Sequence, residues 1–155
     1  MEEGAMIKTL DYRSIDLAMV VIANLVNVAL IGIFISRPYS LPKVEYYLGL
    51  FLAGLVLPII ALVIQNARGQ REWWTIVLPI ILAAFLLIEY ILEYALGINW
   101  RETWMRGPVL LHYYVAVMMM IGYAFLANKA YGVVTLITYF LNLGATWVSL
   151  SRVGY

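Results

Sequence analysis

Five stretches of the chain run without charge, or nearly so, for the roughly 20 residues that a helix needs to cross a bilayer. The first is Leu17–Ser36, between Asp16 and Arg37, and the second is Tyr46–Gln65, between Glu45 and Arg68. The third runs from Trp73 to Gly97 and is interrupted only by Glu89 and Glu93. The fourth and fifth, Gly107–Asn128 and Ala130–Ser151, are parted by Lys129 alone. None of these runs alternates polar and apolar residues as the strands of a membrane barrel would. The expected fold is all-α: residues 1–155 form one transmembrane domain, an integral membrane bundle of five helices with short loops.

The residues between the runs fit that division. Arg37-Pro38 and Ser40-Leu41-Pro42 stop one helix and start another, because proline breaks a helix but suits a first turn. Asn66–Arg71 is a polar turn containing a glycine. Asn99 with Glu102 has the spacing of a capping box, so a short interfacial helix is expected over Asn99–Arg106. Trp73, Trp74, Trp100 and Trp104 are expected at headgroup level. The Leu126–Gly132 connection is short enough to make the last two helices antiparallel neighbours, with a re-entrant fifth segment as the alternative. Pro58 and Pro79 are expected to kink the second and third helices. Glu2 and Glu3 stand where a cleavable signal would carry basic residues, so Met1–Asp16 reads as an interfacial lead-in to the first helix.

Composition supports the same environment and removes other functions. Hydrophobic residues make up 65% of the chain and charged residues 12%, against about 45–50% and about 25% in soluble domains. Ten Lys plus Arg against nine Asp plus Glu leave no charge excess to attract a nucleic acid. With no cysteine there are no disulfides, thiolate metal sites or iron–sulfur clusters. The partner this composition names is the lipid bilayer of a multi-pass membrane protein, expected in the cell membrane. A homo-oligomer or a place in a membrane complex is the further expectation. Lys and Arg divide five against five between the two sides, so the positive-inside rule assigns no orientation.

Alternating the spans puts most of their polar residues in one leaflet, on the side where the first helix ends (the far side). Glu89 and Glu93 stand one turn apart on one helical face, with Tyr90 and Tyr94 beside them. Intramembrane carboxylates are costly and belong against protein or a wet cavity, and two so close should titrate as one coupled unit. His112 enters the fourth helix at a similar depth, where it could relay protons or complete a metal site with the glutamates. Tyr113, Asn142, Thr146 and Ser149 share this end. The plainer alternative has Glu93 reaching Arg101 or Arg106, Glu89 bonded to a tyrosine, and His112 bonded to a tyrosine or a backbone carbonyl.

Absent motifs narrow the chemistry. There is no paired Glu-x-x-His for a di-metal centre, no His-Glu-x-x-His, no phosphate loop and no potassium-type filter. A lone histidine excludes bis-histidine haem, and the consecutive methionines 118–120 point three ways around a helix and read as packing. No motif names a cofactor. The expected function is binding or translocation of a small ligand, ion or proton through a polar cavity in one leaflet. Glu89, Glu93, His112, Tyr90, Tyr113 and Asn142 are its candidate residues. The alternatives are an intramembrane enzyme acting on a lipid or isoprenoid, with a metal held by Glu89, Glu93 and His112, or a structural or assembly subunit.

Overall fold

A computed structural model describes residues 11–153, which among themselves form only helices and turns. Helix α1 spans Tyr12–Ser36, and Asp11 opens it by accepting from the Arg13 N–H. The second span is two consecutive pieces, α2 (Pro42–Gly54) and α3 (Val56–Arg68), parted at Leu55. Pro58 is the cause: it has no N–H to offer the Gly54 carbonyl four residues back, and its ring crowds that carbonyl. The third span is α4 (Trp74–Tyr90), which widens into a π-helical turn over Ile91–Ala95. Helix α5 covers Arg106–Ala127 and α6 covers Lys129–Val153. Five spans are long and apolar enough to cross a membrane, consistent with a polytopic membrane protein. The fifth is one unbroken helix of 25 residues, not a re-entrant segment. The interfacial lead-in expected at Met1–Asp16 lies mostly outside the described residues.

The connections explain the packing order. Asn128 is extended, and its Oδ1 accepts the Ala130 N–H, so one residue ends α5 and caps α6. Helix α1 packs most extensively on α6, α4 on α5, and α5 on α6, while the halves of the second span lie on α1 and α4. The core between them is mostly Leu, Ile, Val and Ala, joined by Met19, Met120 and aromatic residues such as Phe85, Tyr113 and Tyr123. Large apolar side chains cover the outside, among them Leu57, Phe140 and Trp147. This is the inverse of a water-facing globule, and a lipid solvent requires it.

Two polar assemblies tie the helices together. Near mid-bundle, Asn24 Nδ2 donates to Thr135 Oγ1 at 3.0 Å, Thr138 Oγ1 donates to Asn24 Oδ1 at 2.7 Å, and Asn27 Nδ2 donates to Thr138 Oγ1 at 3.1 Å. Asn142 Nδ2 extends this ladder to Asn27 Oδ1 at 3.4 Å and to the Tyr113 hydroxyl at 2.6 Å. At the near end, Arg71 grips Asp16 with two hydrogen bonds of 2.8 and 2.9 Å, and the Tyr123 hydroxyl donates to the same carboxylate at 2.7 Å. Arg71 also donates to Asn66 Oδ1 at 2.9 Å, and Asn66 Nδ2 donates to the Thr75 carbonyl at 3.0 Å. That carbonyl is the one Pro79 leaves without its helical donor, so a side chain from α3 supplies what the proline withholds. The hydrogen bond to Asp16 raises the Arg71 pKa against the opposing effect of burial. Every charge in this near-end group has a partner, which makes it a clasp between spans.

Candidate functional site

The far end is built around a chain reversal. After the π-helical turn, Gly97 takes φ +62°, a left-handed conformation that a residue with a Cβ adopts at a cost. The Ile98 N–H closes on the Leu92 carbonyl at 2.8 Å. The chain then folds back as a single 3-10 turn, Trp100–Glu102, which is what remains of the expected interfacial helix. The capping box does not form: Asn99 makes no side-chain cap. Of the four tryptophans expected at the headgroups, Trp73 and Trp104 are well exposed. Trp74 packs edge-on against Tyr123, and Trp100 is buried under the far end of the bundle.

This fold-back sets Arg101 over the acidic face of the third span. Its Nη1 and Nη2 donate to the two oxygens of Glu93 at 3.0 and 3.1 Å, and Nη2 lies 3.4 Å from Glu89 Oε1. Two carboxylates thus share one guanidinium. Burial works to lower the Arg101 pKa, but its hydrogen bonds to Glu93 and the charges of Glu93, Glu89 and Glu45 outweigh that and raise it. Beside this cluster, Arg37 donates through Nε and Nη2 to Glu45 Oε1 at 2.9 and 2.8 Å. The faces of Phe34 and Trp100 are taken by the guanidinium groups of Arg37 and Arg101. Arg106, in the first turn of α5, forms no ion pair with any described residue.

These groups border a cavity of about 100 Å³. Its deep end is made by Leu30, Phe85 and Tyr113, all buried or nearly so, and its rim by Arg106, Tyr114 and Leu150, which are exposed. Ile33, Phe34, Leu110 and Thr146 share the wall with Glu89, Arg37, Trp100 and Arg101. A smaller crevice behind it, lined by Glu45, Gly49, Tyr90, Glu93 and Tyr94, shares Glu89 and Arg101. The α2 half-helix comes this close because Gly49 has no side chain to meet the Tyr94 phenol.

The expected site residues are therefore only partly gathered. Glu89 and Tyr113 border the main cavity, whereas Glu93 and Tyr90 face the crevice, Tyr90 stacked on Tyr94. Asn142 lies beneath Tyr113 as part of the mid-bundle ladder, fully buried, with its Oδ1 unpartnered. His112 does not join the glutamates. Its Nε2 lies 3.2 Å from the Ile81 carbonyl, which can only accept, and its ring packs edge-on against Phe85. The metal alternative therefore lacks its third ligand: among the described residues no three His, Asp or Glu side chains are grouped to hold an ion.

Sequence reasoning missed the arginines as site residues. Arg37 had marked the end of a span, and Arg101 had entered only as an end for Glu93 to reach. It also passed over Asp16 and Arg71, whose signal was a charge at each of two span ends on the same side. No protein-family model, curated protein or solved structure matches this chain.

Proposed function

We propose that this multi-pass membrane protein binds a small molecule in the far-end cavity, with Glu89 and its shared arginine as the polar wall. The observation that carries this reading is the cavity itself, a hollow among four spans that holds ionisable side chains within otherwise apolar packing. Intramembrane charges are retained where they face a cavity or a partner, and here several do both. The space is on the order of a few water molecules, enough for a head group or a short apolar body. Apolar side chains line most of the deep end; Glu89, Arg37 and Arg101 are held within the wall, and Arg106 stands at the exposed rim.

Glu89 is the group best placed to change partners. Its hold on Arg101 is the longest ion-pair contact in the far-end cluster, because Glu93 takes the guanidinium bidentately. A ligand or proton can therefore displace it without unmaking the Glu93 pair. This supports binding, and exchange in the course of passage, over a purely structural role for the acidic pair.

The test is mass spectrometry of small molecules that co-purify after mild extraction, comparing the parent chain with Leu110→Trp, which fills the cavity. A stoichiometric species carried by the parent chain and lost from the variant is expected. Identical small-molecule content in two equally folded proteins would overturn the reading.

A further inference from the structure

Resting on that binding reading, we infer that the cavity's ligand is an amphiphile with an anionic head group, a carboxylate or phosphate ester, held by Arg106 and Arg101. Four charged side chains line the cavity, and three of them are arginines. Glu89 is the single carboxylate among them, and it is weakly held. Arg37 is committed to Glu45 through two hydrogen bonds. Arg106 has no acid among the described residues and sits at the exposed rim. The Trp100 indole N–H, on a residue 4% exposed in the cavity wall, also has no acceptor. Glu89 apart, the unmet groups in this wall are donors, and donors call for an acceptor-rich, negatively charged ligand.

The same wall disfavours a cation. Two of the aromatic faces in this wall, those of Phe34 and Trp100, already carry guanidinium groups. The volume admits little more than a head group, so an attached chain must leave past the exposed Tyr114 and Leu150 toward lipid. In the bound state the anion bridges Arg106 and the face of Arg101 that Glu89 now occupies. Glu89 is a competitor for the ligand's place.

That competition gives a sign that separates this proposal from a cation or proton site. Protein in phosphatidylcholine nanodiscs is titrated with dodecanoate, dodecyl phosphate, dodecanol, dodecyltrimethylammonium and inorganic phosphate, and saturable binding is read by calorimetry. Dodecanoate and dodecyl phosphate are expected to bind, with the stronger of the two identifying the head group. Arg106→Gln should weaken them about tenfold, the scale of one charge-assisted hydrogen bond, and Glu89→Gln should tighten them. Because Arg106 is exposed and unpaired, its variant is expected to fold, and Leu110→Trp should abolish binding independently.

Dodecanol or the ammonium binding as tightly as dodecanoate would overturn the anion preference while leaving the cavity reading intact. Loss of binding in Glu89→Gln, or inorganic phosphate binding as well as dodecyl phosphate, would also overturn the proposal. Silence from all five probes, with a co-purifying ligand still present, would overturn it alone; silence with no such ligand would remove both readings.

Discussion

Arg101 holds Glu93 through two hydrogen bonds of 3.0 and 3.1 Å and reaches Glu89, one turn deeper, at 3.4 Å. The unequal grip makes Glu93 the anchor of this cluster and Glu89 its exchangeable member. A guanidinium serving two carboxylates in a low-dielectric setting is stable only while all three stay together, since an unpaired buried charge costs more than a pair returns.

Removing the shared cation should therefore hurt more than removing the whole group. Arg101→Gln is expected to destabilise the protein by about 3–5 kcal/mol, the cost of stranding a buried charge. Adding Glu89→Gln and Glu93→Gln should restore most of that loss. Denaturant unfolding in mixed micelles measures both.

The near-end clasp should respond in the same way. Tyr123→Phe removes one hydrogen bond to the Asp16 carboxylate and should cost about 1.5–3 kcal/mol. Asn66→Leu orphans both the Thr75 carbonyl and one Arg71 contact. Pairing it with Pro79→Ala, which returns a backbone donor to that carbonyl, should recover part of the stability. Thermal unfolding of the single and double variants tests the assignment.

Contacts of the mid-bundle ladder should be modest individually. Asn27→Leu is expected to lose on the order of 0.6–1.7 kcal/mol, the range of interhelical side-chain hydrogen bonds in membranes. A double-mutant cycle with Thr138→Val should give a coupling energy below either single-variant loss, because the two side chains bond each other but Asn27 also bonds Asn142 and Thr138 also bonds Asn24.

Close packing of the α2 half-helix has its own test. Gly49→Ala puts a methyl into the Tyr94 phenol and should cost about 1–3 kcal/mol as overpacking. Tyr94→Ala in the same chain should relieve it, and unfolding midpoints of the three variants decide the point.

Topology can be mapped without background, since the chain has no cysteine. Single cysteines at Ser40 and Thr103 should label from one side of a vesicle, and those at Gly69 and Asn128 from the other. Each position labelling from both sides would instead indicate insertion in both orientations.

The spans were legible because hydrophobic continuity is a local property: a run without charge must lie in lipid wherever the rest of the chain goes. Of the two prolines expected to act, Pro58 breaks its helix as a missing donor requires, while α4 runs through Pro79 unbroken. The capping box at Asn99 and Glu102 was not reliable, because the reversal at Gly97 sets the local geometry ahead of any side-chain cap. His112 was placed at the right depth but on a face toward Phe85 and Ile81. Depth follows from residue number along a helix, whereas rotation about the axis is fixed by neighbours.

The sequence by itself determined that the chain forms five apolar helices, where they turn, and that two carboxylates lie one turn apart near the end of the third. Only the tertiary structure decided that Arg101 folds back onto both acids, that Arg71 closes on Asp16 across 55 residues, and that Trp100 is buried. Burial of apolar surface is specified residue by residue. The pairing of distant charges depends on a few degrees of helix rotation and on short loops, and these are set when the helices pack.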